Sequence, residues 1–469
     1  MFLCLRKAGL LAMAALWGSL SIQAAIAAYS PKKCTELPVA RQMHGSAVVG
    51  DRLYVFGGGE DVTGWTDSVI SADIDPAKGL GQWKPERPMP DRRHYIGNSV
   101  EVVNNRIYVV GGSVAASSAS LAGTVQSRHD VVWTSVQPDG TLAPWRTSAP
   151  FPGPDLSNLA TCSTDDRLYV SGGQFIGGVS DTVLCAEFAP DGEPRNWRAV
   201  AKLPSPLWFH GTAVLDRRMY AWGGLTEIKS TSVFPRTVSA PIEADGSLGP
   251  WRDEAALANP MYSSAFCGFN DHLVSVTGRT SGGAPSSDLA FARLDATGRL
   301  GPWTRLTTDM AANAYHTVGL DRSRGWVFAP GGRHKSGSGQ GSGYLVKEVR
   351  GFKIASDGPP PPPVAAPAAD GAAVALAAAA GKRQLLYFRS PQVPACIRFE
   401  RDVMASEAFR RASAGLELTT VDTARDAALC YKYSVFRVPS LVVVGTDGSP
   451  RRSKALSTAE EASAFLAGP

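Results

Sequence analysis

Two groups of residues in this sequence have the types and spacing to do chemistry. The first is a thiol. Cys396 stands in "FRSPQVPACIRF" (388–399), where the apolar run "QLLYF" leads through a short loop into a stretch of helical periodicity. A dithiol exchange site needs a second sulfur three residues upstream, at the helix N-terminus, where the thiolate is stabilised. That position is Val393, and no Cys-x-x-Cys pair occurs anywhere in the chain. Cys430, in "TARDAALCYKY", is the other thiol of this region. A structural disulfide to Cys430, a free buried thiol and a mixed disulfide with a partner are all open for Cys396.

The second group is cationic and aromatic. Arg41 with His44, Arg93 with His94 and Tyr95, Trp208 with His210, Tyr262, and Tyr315 with His316 recur at the starts of related segments. Aromatic faces, Arg forks and short hydroxyl-rich loops around one opening suit a polar organic ligand or an acidic peptide. "QSRHD" (126–130) and "GGRHKSGSGQGSG" (331–343) add local positive charge. Catalytic signatures are missing: there is no HExxH, no nucleophile elbow, and no GK[ST] after "GSGQGSG". The seven histidines are scattered with few acidic partners near them, so no metal is expected, and no cofactor is expected either. Glu101 and Asp155 are the carboxylates nearest these segments, which leaves acid–base chemistry thinly supplied.

What positions these residues is a repeat. "HGSAVVGDRLYVFGG" (44–58) returns ungapped as "HGTAVLDRRMYAWGG" (210–224), with "NSVEVVNNRIYVVGG" (98–112) and "LATCSTDDRLYVSGG" (159–173) between them. "SAFCGFNDHLVSVTG" (264–278) and "HTVGLDRSRGWVFAPGG" (316–332) complete six copies, with glycine pairs or their substitutes every 51 to 61 residues. Each copy reads as two strands around a polar turn, then a third strand. A turn such as "PDGTLAPW" (138–145) or "ADGSLGPW" (244–251) introduces a fourth strand that begins at Trp. Four antiparallel strands at this period make one blade of a β-propeller.

The glycine pairs and the Trp spacing resemble the kelch repeat family, over most of residues 36–356. The fifth copy departs from it, with Thr277-Gly278 in place of two glycines. The resemblance implies a six-bladed, all-β propeller in which a His at the start of strand one bonds to neighbouring backbone. It also implies Trp residues between the blades. Five Trp-led strands serve six copies, and the sixth copy runs into proline before its fourth strand. "YSPKKCTELPVAR" (29–41) is therefore expected to supply that strand and close the ring, giving a propeller over 29–358. An exported propeller of this kind is similar in outline to the bacterial N-acetylneuraminate epimerases, which implies a sugar-acid enzyme as one alternative.

Residues 1–27 read as a secretory signal: Arg6 and Lys7, an apolar run of about 15 residues, and a small-x-small site at Ala25-Ile26-Ala27. Its loss takes the net charge from +5 to +3, too small a bias to imply nucleic acid or a membrane surface. No membrane span is expected after cleavage. The expected location is periplasmic or extracellular.

"PPPPPVAAPAADGAAVALAAAA" (359–380) reads as a spacer. Beyond it, "KRQLLYFRS", "ACIRFERDVMASEAFRRAS", "LELTTVD", "TARDAALCYKY", "SVFRVPSLVVVGTDG" and "STAEEASAFLA" alternate strand and helix, with Ile397, Phe399, Val403 and Phe409 on one apolar helix face. This order resembles the thioredoxin family over 381–469 and implies a small α/β domain. Val438, Pro439 and Ser440 then match the family's cis-proline loop, which leaves backbone free for strand-like peptide docking. Val393, with Gln392 at the family's Trp position and no Asp in "LLYF", departs from its redox site. The expected function is an exported binding or scaffold protein. The propeller face would hold a glycan-like polar ligand or a partner protein, and the C-terminal domain would be a non-redox docking module. A one-cysteine thiol-exchange factor is the second alternative.

Overall fold

The computed structural model describes residues 31–354 and 383–467, apart from short internal stretches, the longest being 116–124 and 335–343. The signal segment, the proline spacer and the loop after His334 lie outside the described residues.

Six antiparallel blades are present, four of them separate four-stranded sheets and the first and fifth parts of sheets of five and eight strands. The first holds Gly45–Val49, Arg52–Phe56, Val69–Asp75 and Lys84–Glu86. The second holds Val100–Val103, Arg106–Val110, Val131–Ser135 and Arg146–Thr147. The third and fourth begin at Ala160–Ser163 and Gly211–Leu215, the fifth at Ala265–Phe269. In the sixth, Gly319–Asp321, Trp326–Pro330 and Val349–Lys353 are joined by Lys32–Lys33 from the N-terminal segment. Lys32 pairs with Gly351 and Lys33 with Arg350, so one blade is built from both ends of the propeller. The chain is an all-β propeller through this region.

The core is divided among the seams. Each of six apolar clusters joins two neighbouring blades, for example Phe56, Ile96, Ile107 and Val109 between the first and second. The Trp of the repeat serves these seams: Trp145 meets Phe56 edge-on at 6.3 Å and donates to the Arg87 carbonyl at 3.2 Å. The Tyr of strand two is tied to the glycine of the "DG" turn, whose positive φ and close approach to Arg52, Arg106 or Arg167 leave no room for a Cβ. Tyr54, Tyr108 and Tyr169 donate to the carbonyls of Gly140, Gly192 and Gly246 in the following blade, at 2.6, 2.8 and 3.1 Å. The glycine pairs are a steric requirement. Gly58 and Gly224 have φ of +85° and +82°, and a Cβ on either would lie 2.6 Å from the Cβ of His44 or His210.

The C-terminal domain is a four-stranded mixed sheet in the order Glu417–Asp422, Gln384–Arg389, Ser440–Val444, Pro450–Ala455. The first pair is parallel and the others antiparallel. The Val438–Pro439 peptide is cis. The continuous helix expected over 395–413 is divided. Pro394–Arg398 runs into a π-helical turn, Phe399–Met404, and a new helix, Glu407–Ser413, starts where the Ser406 hydroxyl accepts from the Phe409 N–H at 3.1 Å. Phe399, Val403 and Phe409 are buried as one apolar face, but Ile397 is half exposed.

Candidate functional site

The front face of the propeller, where strand one begins and strand two ends, carries a ring with one residue from each blade. Met43, Tyr95, Asn158, Phe209, Ser263 and Tyr315 all have positive φ, between +50° and +58°. None is glycine, and a bulky side chain in this region costs roughly 1–3 kcal/mol. The cause is visible in the backbone bonding. Met43 N–H donates to the Tyr315 carbonyl at 2.7 Å, Asn158 to Tyr95 at 3.4 Å, Phe209 to Asn158 at 3.0 Å and Tyr315 to Ser263 at 3.0 Å. In these four residues the left-handed backbone turns the N–H toward the blade before it, and the Ile96 N–H makes the corresponding bond to the Met43 carbonyl at 3.4 Å.

This geometry decides where the ten front-face residues of the sequence reading go. Because the left-handed residue precedes it, each repeat His turns into the seam. His44, His210 and His316 are buried, His210 Nε2 lying 2.9 Å from Ser171 Oγ and His316 Nε2 3.1 Å from Thr277 Oγ1. Burial holds them neutral, His210 pushed down to about 3 and His316 to about 4. His94 is buried in a stack on Trp65 at 3.6 Å. Arg41 is buried against Glu60 and Ser68, and Arg93 is held by Asp91 at 2.7 Å and Asp130 at 2.8 Å. Tyr262 is 6 % exposed among Leu225 and Val233. Trp208 is half-buried beside Phe209, its indole donating to the Glu227 carbonyl at 3.2 Å.

Tyr95 and Tyr315 remain at the axis. They line a shallow depression of about 20 Å³ with Met43, Asn158, Phe209 and Ser263. Phe209 meets Tyr315 edge-on at 5.8 Å, and the Arg279 guanidinium lies 5.1 Å over the Tyr315 ring. The sequence reading missed Met43, Asn158, Phe209 and Ser263. Their only signal is position, immediately before the aligned start of each repeat.

Below the ring the axis is barred. The Asn98 amide crosses it from the second blade and donates to the carbonyls of His210, at 3.4 Å, and Ser264, at 3.1 Å. Behind Asn98 lies an inner cavity of about 70 Å³, lined by Ser46, Glu101, Thr161, Ser163, Thr212 and Arg322 among others. The Glu101 carboxylate, 7 % exposed, accepts from Ser163 at 2.6 Å and Thr161 at 3.3 Å, and has no cation partner among the described residues. Asp155 lies away from it, beside His129 at 3.1 Å. Among the described residues no cluster of three His, Cys, Asp or Glu could hold a metal ion.

In the C-terminal domain Cys396 and Cys430 fall on opposite faces of the sheet. Cys430 packs with Leu386 and Phe388, whereas Cys396 lies beside Tyr387, whose side chain points the other way. Both thiols are free and buried, and desolvation pushes each up to about 12. The pairing of Cys396 with Cys430 is absent. Val438 is half-buried, and Pro439 and Ser440 are buried.

No family model matches the chain. It is 32% identical over 186 residues to "Kelch repeat and BTB domain-containing protein 12" of Homo sapiens, 36% of this chain and 27% of that protein. It is 27% identical over 201 residues to "Kelch-like protein 25" of Xenopus tropicalis, 42% of this chain and 31% of that protein. A solved structure described as "Structure of YjhT" superposes with a TM-score of 0.51 at 14% identity, over 68% of this chain and 96% of that one. Residues 31–354 form a β-propeller, and these matches support its likeness to the kelch repeat proteins. The matches span about a third or less of the lengths of those two kelch proteins. Among the described residues no helix is long and apolar enough to cross a membrane.

Proposed function

We propose that the chain is an exported protein-binding scaffold whose kelch propeller holds a partner on the front ring. The observation that carries this is the ring itself: three aromatic side chains, Tyr95, Phe209 and Tyr315, around a depression of about 20 Å³. That volume is too small to enclose a drug-sized ligand, which needs a pocket of roughly 300 Å³ or more. Rigid aromatics on a fixed backbone are the kind of anchor that dominates protein–protein binding. The kelch relatives support the same reading. Catalysis at this ring is poorly supported, because the repeat histidines are buried and the nearest axial carboxylate, Glu101, lies beyond Asn98. Export rests on the segment 1–27. The C-terminal domain is read as a thioredoxin-like docking module without redox activity, supported by its sheet order and its two buried thiols.

The test is site-specific photocrosslinking of the full chain in its native compartment, from a residue at Tyr315 and, as control, at exposed Arg195. A partner trapped only from Tyr315, whose purified form binds at least tenfold more weakly to a Phe209→Ala/Tyr315→Ala variant, supports the reading. Identical adducts from both positions, or unchanged affinity of the variant, overturn it. Turnover of a sugar acid that Glu101→Gln abolishes would replace it with the enzymatic alternative.

A further inference from the structure

The rear face of the propeller, opposite the ring, is formed by the turns between strands one and two. In the fourth blade this turn is Asp216–Arg217, with φ of +45° and +55°. Two successive left-handed residues make a type I′ hairpin turn, where Asn and Gly are usual. The second blade follows that preference with Asn104–Asn105 at +49° and +57°. The fourth blade instead places an acid and a base there, and both meet opposite charges on the C-terminal domain. Asp216 accepts from Arg398, on the short helix that carries Cys396, and Arg217 donates to Glu461, on the helix Ala459–Ala467. All four side chains are at least partly shielded from solvent.

Around these pairs the two domains enclose a cleft of about 270 Å³. Leu215, Ile242 and Phe269 of the propeller face Phe399, Pro439 and Leu456 of the C-terminal domain across it. The inner cavity behind Asn98 shares Val214, Gly268 and Arg322 with the wall of this cleft. The C-terminal domain therefore stands over the end of the axis that Asn98 leaves open.

From this arrangement we infer that the proline-loop edge of the C-terminal domain docks on the propeller of its own chain. The paired charges Asp216–Arg398 and Arg217–Glu461 act as the clamp that closes the rear of the axis. The occupant of this surface is thus intramolecular, set in register by two ion pairs of opposite polarity on one turn. A domain tethered by fewer than thirty residues (355–382) meets the propeller at high effective concentration, so pairs that are weak between separate molecules suffice. The inference deepens the docking-module reading of the C-terminal domain and rests on it. The ring assay above succeeds or fails independently.

Charge reversal tests it in the full chain. Asp216→Arg and Arg398→Asp, each alone, should raise the radius of gyration in small-angle scattering and speed proteolysis within 359–380 roughly fivefold. The double variant should return both toward wild type, and circular dichroism should show all three folded. A wild type as extended as the single variants, or a double variant that stays open, overturns the clamp. A concentration-dependent doubling of mass in the wild type, lost in the single variants, would assign the surface to a second copy and also overturn it.

Discussion

His210 Nε2 lies 2.9 Å from Ser171 Oγ, across the seam between the third and fourth blades. Around it Gly172 and Gly224 leave no room for a side chain. His316 and Thr277 repeat the contact across the seam between the fifth and sixth blades at 3.1 Å. These histidines are seam fasteners that work in the neutral form.

A pH dependence follows. In the unfolded chain such histidines take up a proton near 6.5, but burial delays this to about 3 for His210 and about 4 for His94 and His316, and well below 6.5 for His44. Between these values the unfolded state binds more protons. Stability is thus complete above pH 6.5 and falls as pH drops toward 4, by up to about 1.4 kcal/mol per pH unit for each histidine. Thermal melts from pH 7 to 4 should show this decline, and His316→Gln should make it shallower. An acid-insensitive melting temperature over that range would refute the neutral-fastener account.

Gly224 offers a sharper steric test. Gly224→Ala would set a Cβ 2.6 Å from His210 Cβ and 2.7 Å from the Trp208 carbonyl, at a φ of +82°. Gly177 has a φ of +101° but nothing within 4 Å of the same position. Gly177→Ala should cost about 1 kcal/mol from backbone strain alone, and Gly224→Ala about 3 kcal/mol or more. Denaturant midpoints measure the difference. Equal losses would mean that the glycine pair is only a conformational requirement.

The periodic features were legible from sequence because each does the same job in every blade. Gly58 and Gly224 must admit a neighbouring chain, and Trp145 and Trp303 must fill a seam. The ring was not legible, because its shared property is a backbone angle, accompanied in four of the blades by a bond to the blade before. Met, Tyr, Asn, Phe, Ser and Tyr satisfy it without a common side chain. The resemblance implied a structural role for His44 and His210 but not its cause: the residue before each turns it from the axis into the seam. Asn98 was equally hidden, since its partners His210 and Ser264 lie 112 and 166 residues away.

The sixth blade makes the N-terminal segment a structural part of the ring. Beyond the pairing of Lys32 with Gly351, Cys34 N–H bonds to the Val349 carbonyl at 2.9 Å and Leu37 N–H to the Lys347 carbonyl at 2.8 Å. Leu37 is 1 % exposed within the seam shared by the sixth and first blades, where Trp83 donates to the Thr35 carbonyl at 3.3 Å. Deleting residues 31–40 removes these contacts and exposes the edge of Val349–Lys353. The melting temperature should fall by on the order of 10 °C, with concentration-dependent aggregation. Unchanged melting would show that the blade holds without its outer strand.

Cysteine reactivity separates the thiol-exchange alternative from the docking role. An exchange thiol must be exposed and have a depressed pKa, so that its thiolate exists near neutral pH. Cys396 has neither property: it is fully buried, and desolvation outweighs the backbone N–H of Ser390 and the charge of Arg389 in pushing it up to about 12. Cys162, Cys185, Cys267 and Cys430 are buried too, which leaves Cys34 as the partly exposed thiol of the described residues. Its pKa is also raised by burial, so even this site should react slowly. Native alkylation at pH 8 followed by peptide mapping should therefore mark Cys34 first and leave Cys396 unmodified until the chain is denatured. Rapid native labelling of Cys396, or its recovery as a mixed disulfide from the native compartment, would restore the exchange chemistry that the missing sulfur at Val393 argues against.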